Sequence, residues 1–170
     1  MPSFHPERWI FSDPRLGCME AIVRSLPRGN GVVLRHHHLP ASKRRTLVRR
    51  LGRLASARGL LLIDEGAGKS ARVHNSRELR QALDRSAWPI FVSPLAPTRT
   101  HSDWKPLPRM RAAALARLGG RRVYALGGMS PTEFSKIESL GFVGWGAIDA
   151  WAKPGLRPRS PGQKRKAVPM

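Results

Sequence analysis

The sequence has few cysteines and no long apolar run, and these absences exclude two classes of protein. Cys18 is the single cysteine among 170 residues, so the chain cannot form an internal disulfide, and we expect a reducing, cytoplasmic location. No window holds the roughly 18 uninterrupted apolar residues of a membrane helix, so no contact with a membrane is expected. The N-terminus lacks a basic stretch followed by an apolar run, and we therefore expect no secretory signal.

Acidic residues are scarce as well. The chain has 11 Asp and Glu against 31 Lys and Arg, a formal net charge of +20 at pH 7. Such a charge attracts phosphate polyanions, so nucleic acid is a candidate partner. Six basic residues lie in 153–170, a segment without acidic residues. A predicted amphipathic helix, Ala41–Arg58, has six more before its final residue Arg58, and we expect these six to face mostly water: Lys43, Arg44, Arg45, Arg49, Arg50 and Arg53. Aromatic residues, which stack on bases, are absent from both segments and make up 6% of the chain, so nucleic acid is not favoured.

Short apolar runs alternate with helical patterns, an order typical of βα units around a parallel sheet. Six strands are predicted, at Trp9–Ser12, Gly31–Arg35, Leu60–Asp64, Ile90–Ser93, Val123–Leu126 and Gly144–Ile148. Five helices are predicted, at Cys18–Leu26, Ala41–Arg58, Ser76–Arg85, Leu107–Leu118 and Pro131–Ser139. We expect one domain over residues 1–152 and a disordered, basic, Pro- and Arg-rich tail over residues 153–170.

The loops after the predicted strands carry the candidate functional residues, because the carboxyl ends of parallel strands form one rim. Asp64 follows the third strand, where a carboxylate is suited to hold Mg²⁺ on a pyrophosphate; a capping or ion-paired acid is the alternative. Gly127 and Gly128 follow a strand and precede a helix capped by Ser130. Their amides are suited to cradle a phosphate, and a plain tight turn is the alternative.

Two further loops carry hydroxyl and imidazole groups. Thr98 and Thr100 stand on one side of an extended segment with Arg99 between them, a set that can bind phosphate oxygens. A turn whose hydroxyls bond their own backbone is the alternative. His74 precedes a helix, where an imidazole can transfer protons near neutral pH. The capping of that helix by Asn75 or Ser76 requires no such chemistry.

Three consecutive histidines, His36 to His38, follow the second predicted strand. Successive residues of an extended segment alternate between faces, so only His36 and His38 are expected to share a ligand. With one cysteine and no helical His pair, a zinc site is disfavoured, and contact with phosphate or solvent is expected instead.

Taken in order, these segments resemble the thiamine phosphate synthase/TenI family, whose members are (βα)₈ barrels. The matching segments are WIFSDP, GVVLRHHHL, LLLIDE, VHNSRELRQA, IFVSPLAPTRTH, VYALGGMSPTEF and GFVGWGAIDAW, over about residues 8–151. Between Asp64 and Val73 there is no room for the fourth βα unit. The resemblance therefore implies an α/β fold, an incomplete TIM-type barrel without that unit.

The resemblance also implies an activity, that of a thiamine biosynthesis transferase. Such an enzyme, assisted by Mg²⁺, releases pyrophosphate from hydroxymethylpyrimidine diphosphate, and the nitrogen of a thiazole phosphate captures the pyrimidine cation. The implied roles are diphosphate binding by Arg35, metal binding by Asp64, phosphate binding by the loop of Thr98, Arg99 and Thr100, contact of Gly127 and Gly128 with the thiazole phosphate, and for His74 the thiazole tautomerisation of the TenI branch.

Several positions depart from the family pattern. Val33, His37 and Ile63 replace the family's glutamine, lysine and asparagine, and His101 replaces the lysine that closes the threonine loop. Losing such groups where pyrophosphate leaves predicts reduced, altered or absent catalysis. The alternatives are a TenI-like tautomerase, a non-catalytic binder of phosphorylated ligands, and a basic nucleic-acid-binding module. The sheet edge exposed by the missing unit favours a homodimer.

Overall fold

Seven parallel strands and five α-helices are found in the computed structural model, which describes residues 5–97, 104–148 and 150. The strands are Arg8–Phe11 (β1), Gly31–Leu34 (β2), Leu61–Asp64 (β3), Ala71–Val73 (β4), Ile90–Val92 (β5), Val123–Ala125 (β6) and Trp145–Ala147 (β7). The helices are Met19–Ser25 (α1), Ala41–Ala57 (α2), Ser76–Asp84 (α3), Arg109–Gly119 (α4) and Pro131–Ser135 (α5). Except between β3 and β4, the chain therefore alternates between strand and helix, as predicted.

The strands form one curled sheet in the order β3-β2-β1-β7-β6-β5-β4. The pairing of β1 with β7 joins the first strand to the last, as in a barrel. The sheet stays open between β3 and β4, and the residues connecting them, 65–70, contain only the short 3₁₀ turn Glu65–Ala67. A parallel crossover with its helix needs at least about ten residues, so this connection has no room for one. The predicted fold, an incomplete barrel without the fourth βα unit, is confirmed.

Aromatic side chains fill the interior of the barrel. Trp9, Phe11, Phe91 and Tyr124 are all at most 1% exposed. Their rings meet edge to face, with centroids 5.8 Å apart for Trp9 and Tyr124 and 4.8 Å apart for Phe11 and Phe91. Because strand side chains alternate, the intervening residues of each strand point outward to the helices.

Two hydrophobic clusters lie between the sheet and the helices. One joins the first two strands to α1 and α2 through residues that include Ile10, Val32 and Leu51. The other joins β4 to β7 with α3 and α4 through residues that include Val92 and Leu115. Each half of the chain thus has its own outer core, and the aromatic interior is common to both.

The strand β4 was not predicted. Ala71 and Val73 are buried beneath the helices, whereas Arg72 between them is exposed. Three residues with a charge in the middle are too few to show the alternation that indicates a strand. The last helix is also shorter than predicted, since α5 ends at Ser135 and a separate 3₁₀ turn follows at Glu138–Leu140.

Some predictions concern residues that the structure does not describe. The tail over residues 153–170 and the threonine loop lie outside the described residues, and so does the end of the predicted domain at residue 152. Within the described ranges, every helix is too short or too polar to pass through a membrane.

Gly31 of β2 gives a test of the interior packing. A Cβ atom at this position would overlap the ring of Trp9, which faces Gly31 across the sheet. We expect Gly31→Ala to lower the free energy of unfolding by about 1–3 kcal/mol, measured by urea denaturation. Gly52→Ala in α2 is the matched control, because a Cβ there meets no atom within 4 Å. That control should be neutral or stabilising by up to about 1 kcal/mol, and equal effects of the two changes would contradict the packing argument.

Candidate functional site

The carboxyl ends of the parallel strands form one rim, and most predicted site residues follow these ends. Asp64 is the last residue of β3, Arg35 follows β2, His74 follows β4, and Gly127 lies two residues beyond β6. The predicted phosphate-binding residues after β5 lie outside the described residues: Thr98, Arg99 and Thr100. The described candidates share one rim, and their contacts fall into four groups along it.

The first group surrounds the two carboxylates at the end of β3. We call it the arginine–carboxylate cluster; its members are Arg35, His37, Arg44, Asp64, Glu65 and Arg72. The guanidinium of Arg44 donates to Oδ1 of Asp64, and the backbone N–H of Gly66 donates to the same oxygen over 3.0 Å. Asp64 therefore caps the 3₁₀ turn and holds an arginine, as the structural alternative predicted.

Glu65 connects the two sides of the open barrel. Its Oε1 lies 3.1 Å from Nε of Arg72 on β4. Its Oε2 lies 2.7 Å from Nε2 of His37 and 3.9 Å from Nε of Arg35. The side chain is only 14% exposed, so these charges are less screened than at the open surface. One carboxylate thus binds groups from both edges of the gap.

Arg44 is the exception to the prediction that the basic side chains of α2 face mostly water. Its side chain is 17% exposed, and its Nη1 lies 3.3 Å from Nδ1 of His37. The other five basic residues of that prediction are exposed: Lys43, Arg45, Arg49, Arg50 and Arg53. Arg44 differs because it lies in the first turn of α2, beside the end of β3.

The arginine–carboxylate cluster does not fit a magnesium ion. Mg²⁺ binds one or two carboxylates together with phosphate oxygens and water. Here Asp64 accepts from Arg44, and Glu65 is paired with Arg72. With Arg35, which also lies near Glu65, the cluster has three arginines and two carboxylates. Over the described residues, no three side chains of His, Cys, Asp or Glu are grouped to hold a metal. The Mg²⁺ implied by the resemblance stays a prediction.

The second group contains Ser12 and the histidines after β2. Oγ of Ser12 accepts from the backbone N–H of Arg35 over 2.7 Å and shares a hydrogen bond of 2.9 Å with Nδ1 of His36. The rings of His36 and His38 lie 5.4 Å apart, while His37 turns to Glu65. Burial lowers the pKa of His36, and the nearby His38 and Arg44 lower it further. This lowering of its pKa favours the neutral form of His36.

The third group holds His74 at the start of α3. Oε2 of Glu78 accepts from the backbone N–H of His74 over 2.7 Å and lies 2.9 Å from its Nδ1. Oδ1 of Asn75 accepts from the backbone N–H of Glu78, which completes a reciprocal cap. The ring of Trp104 lies 5.4 Å from that of His74. His74 thus takes part in the predicted cap, and its carboxylate partner favours the tautomer with the proton on Nδ1.

The fourth group on the rim is the glycine turn after β6, formed by Gly127 and Gly128. Gly127 and Gly128 have φ of +89° and +64°, a backbone region that favours glycine. A Cβ on Gly128 would overlap the carbonyl oxygen of Pro97, and the N–H of Ala96 donates to the carbonyl of Gly127 over 3.1 Å. The close approach of two loops thus explains both glycines. It also places the glycine turn beside Pro97, the residue before the threonine loop.

Sequence reasoning missed Arg44 and Arg72. The helical period indicates which face of α2 meets the sheet, but it does not indicate that a first-turn arginine reaches the next strand. The only signal for Arg72 is a charge between the apolar Ala71 and Val73, which indicates opposite faces once a strand is assumed.

The pairing of His74 with Glu78 gives a titration test. Burial raises the pKa of Glu78, but the hydrogen bonds from His74 and Asn75 outweigh it, so its pKa is lowered. The carboxylate therefore stabilises the fold above its unfolded pKa, and this contribution is lost as pH falls through the folded pKa. We expect His74→Ala to raise the Glu78 pKa toward its ordinary value, measured by NMR of the carboxyl carbon. Trp104→Ala, the control, should leave it unchanged; an unaltered Glu78 titration in His74→Ala would refute the assignment.

Comparison with known proteins identifies the fold. No protein-family model matches the sequence, and no curated protein matches it significantly. Among solved structures, a thiamine phosphate pyrophosphorylase from Pyrococcus furiosus is similar, with a TM-score of 0.74 and 16% identity over 89% of each chain. A structure described as native KDPGal covers 96% of this chain and 89% of its own at 14% identity, with a TM-score of 0.46.

The first of these similarities concerns the fold, since the identity is low. A TM-score of 0.74 over 89% of both chains is a similarity of the overall fold. The chain therefore has the α/β barrel fold of a thiamine phosphate pyrophosphorylase, opened between β3 and β4.

Proposed function

We propose that this chain is a thiamine phosphate synthase-like protein that binds phosphorylated thiazole and pyrimidine compounds at the rim. In the proposed reaction, the C–O bond to pyrophosphate breaks, pyrophosphate leaves with the electron pair, and a C–N bond forms to the thiazole nitrogen. The observation that carries the proposal is the shared fold, with Arg35 and the glycine turn on the rim where such barrels place their functional groups.

Arg35 supports the binding of a diphosphate. Its backbone is fixed by Ser12, and its side chain is 29% exposed, so the guanidinium is positioned yet open to the rim. An arginine offers five N–H donors and matches phosphate oxygens through paired hydrogen bonds. A positive charge fixed beside the leaving pyrophosphate would stabilise the charge that develops on it.

The pairing of both carboxylates with arginines supports the proposal that the reaction is slow. Asp64 and Glu65 are already paired with arginines, so a metal-bound diphosphate would have to displace Arg44 or Arg72. Breaking a half-buried pair by a competing cation costs free energy, because the displaced guanidinium must find other partners. We therefore propose that ligand binding at the rim is retained and that condensation is reduced or lost.

Binding of thiazole phosphate gives the direct test of this function. We expect saturable binding by isothermal titration calorimetry, weakened about tenfold or more when Thr98→Ala and Thr100→Ala are combined, since two hydroxyl contacts to phosphate would be lost. Deletion of residues 153–170 is the control and should leave the affinity unchanged. Incubation with thiazole phosphate, hydroxymethylpyrimidine diphosphate and Mg²⁺ should give thiamine phosphate slowly or not at all, because Asp64 and Glu65 are already paired with arginines.

Each result has a defined meaning. Binding without product would favour the non-catalytic binder, and absence of binding would overturn the proposal. Loss of affinity on deletion of the tail alone would point away from the rim.

A second candidate function is the binding of nucleic acid, and one observation favours it. Helix α2 exposes five basic side chains along its outer face: Lys43, Arg45, Arg49, Arg50 and Arg53. Arg50 lies 3.1 Å from Glu20 of α1, so four of the five have no carboxylate partner among the ion pairs of the described residues.

Salt dependence tests this second function. If α2 binds a nucleic acid backbone, the affinity for a single-stranded oligonucleotide should fall about linearly on a log–log plot of affinity against salt concentration. The variant Arg45→Ala with Arg49→Ala should reduce the magnitude of that slope by about 1.4, since each phosphate contact contributes about 0.7 with a single strand, whereas Arg117→Ala on α4 should reduce it less. A slope equal in all three proteins would exclude α2 as the contact surface.

A further inference from the structure

Helix α4 has its largest apolar side chains on the side that faces water. Within the described residues, the large apolar side chains that are exposed all lie in 104–118: Met110 is 81% exposed, Trp104 47% and Leu118 45%. Met110 and Leu118 belong to α4, and Trp104 lies a few residues before it. Soluble proteins expose single apolar side chains at scattered places, so the concentration of these three in one stretch indicates a contact surface.

The inner face of α4 is complete without these side chains. This face packs against β5, β6, α3 and the 3₁₀ turn Glu138–Leu140. Its buried residues are nearly all small: Ala112, Ala113, Leu115, Ala116 and Gly119. The helix therefore lies close to the sheet, and neither Met110 nor Leu118 belongs to a hydrophobic cluster of the described residues. The fold does not need a large apolar side chain at either position.

Met110, Ala114 and Leu118 form one apolar stripe along the outer face of α4. Their spacing of four residues places them on the same side of the helix in successive turns. Ala114 is exposed like the other two. The stripe is about 12 Å long, because a helix rises about 1.5 Å per residue. An amphipathic helix of a partner binds through apolar side chains at this spacing.

Basic side chains border the apolar stripe on both sides. By the helical period, Arg111 lies on one side of the stripe and Arg117 on the other, and both are exposed. Neither takes part in the ion pairs of the described residues. Residues 104–122 contain no acidic residue and six basic ones: Lys105, Arg109, Arg111, Arg117, Arg121 and Arg122. The surface is thus apolar at its centre and positive around it, which resembles the anatomy of a protein interface.

We propose that the apolar stripe of α4, together with Arg111 and Arg117, is a docking surface for an acidic amphipathic helix of a partner protein. Apolar side chains of the partner pack on Met110 and Leu118, and its carboxylates pair with the two arginines. The flexible side chain of methionine suits such a contact, because it adapts to the shape of the partner. The surface lies on the outer side of the barrel, so it uses none of the residues proposed for the rim reaction.

Charge and the apolar stripe together argue against three other occupants. A second copy of a chain with a net charge of +20 would bring arginines against arginines. A nucleic acid would pair with the arginines, but aliphatic side chains do not stack on bases as aromatic ones do. A membrane would need a larger apolar face, since the other apolar residues of α4 are held against the sheet.

A designed helical peptide is the probe, and its binding to the full chain is measured by fluorescence anisotropy. The peptide has leucines four residues apart on one face and glutamates on both sides of them. One control peptide has alanine in place of each leucine, and a second has lysine in place of each glutamate. We expect saturable binding of the leucine–glutamate peptide and binding weaker by about tenfold or more for each control.

Loss of the apolar stripe should weaken this binding. We expect Met110→Ala with Leu118→Ala to reduce the affinity for the leucine–glutamate peptide about tenfold or more, because its leucines lose their contacts. The affinity for the alanine control peptide should stay unchanged in this variant. Both substitutions are at exposed helical positions where alanine is favourable, and circular dichroism checks that the fold is retained.

Loss of the bordering arginines should act through charge. Arg111→Ala with Arg117→Ala should weaken binding of the leucine–glutamate peptide and make it less dependent on salt concentration. Arg45→Ala with Arg49→Ala on α2 is the matched control, since it removes the same charge from exposed positions of another helix. That control should bind the peptide nearly as tightly as the unmodified protein does.

Four outcomes would overturn the proposal. The first is unchanged peptide binding in Met110→Ala with Leu118→Ala, and the second is equal weakening in the two double arginine variants. The third is a dimer in light scattering that the apolar variant dissociates, which would assign the stripe to a second copy. The fourth is binding to vesicles of phosphatidylcholine and phosphatidylserine in equal amounts that the apolar variant abolishes. The apolar variant should bind thiazole phosphate as the unmodified protein does, so the rim function is tested separately.

Discussion

Residues 65–70, the connection from β3 to β4, impose the constraint on which the rest of the structure depends. A stretch of this length cannot carry a helix back across the sheet, so β4 begins on the far side of a gap instead of beside β3. The unpaired edges of β3 and β4 follow directly. So does the use of Glu65, the first residue of the connection, to join the two edges through His37 and Arg72.

This constraint also explains the state of the carboxylates at the end of β3. The two carboxylates lie partly buried at the open edge of the barrel wall. A partly buried carboxylate without a partner would lower the stability of the fold. Arg44 of α2 and Arg72 of β4 compensate Asp64 and Glu65. The residues that stabilise the opening thereby occupy the oxygens that a metal would need. Structural stability and metal chemistry thus compete for the same two side chains.

Much of the fold could be predicted because the buried strands carry strong apolar signals. The predicted strands over Ile90–Ser93 and Leu60–Asp64 differ from β5 and β3 by one residue, and Ser130 caps α5 as expected, accepting from the N–H of Glu133 over 3.1 Å. The strand β4 could not be predicted, since three residues give no period. The contacts of the arginine–carboxylate cluster could not be predicted either, because they join residues from α2, β3 and β4 that only the tertiary fold brings together.

In the candidate site, the positions of residues along the chain could be predicted, but their contacts could not. The position of Asp64 at a strand end could be read from the apolar run before it, but its partner Arg44 could not. The sequence predicts phosphate contact for Gly127 and Gly128, and the packing of the Pro94–Pro97 loop gives a sufficient reason for both glycines. The roles of Thr98, Arg99 and Thr100 stay predictions, as they lie outside the described residues.

The pairing of β1 with β7 has a consequence for how the chain folds. It places Trp9 opposite Gly146, near the two ends of the described chain, whereas each outer core draws on one half of the sequence. Contacts between distant residues carry a larger loop-closure entropy than local ones. We therefore expect each half to collapse around its own helices early, and the union of β1 with β7 to be the late event that sets the overall folding rate.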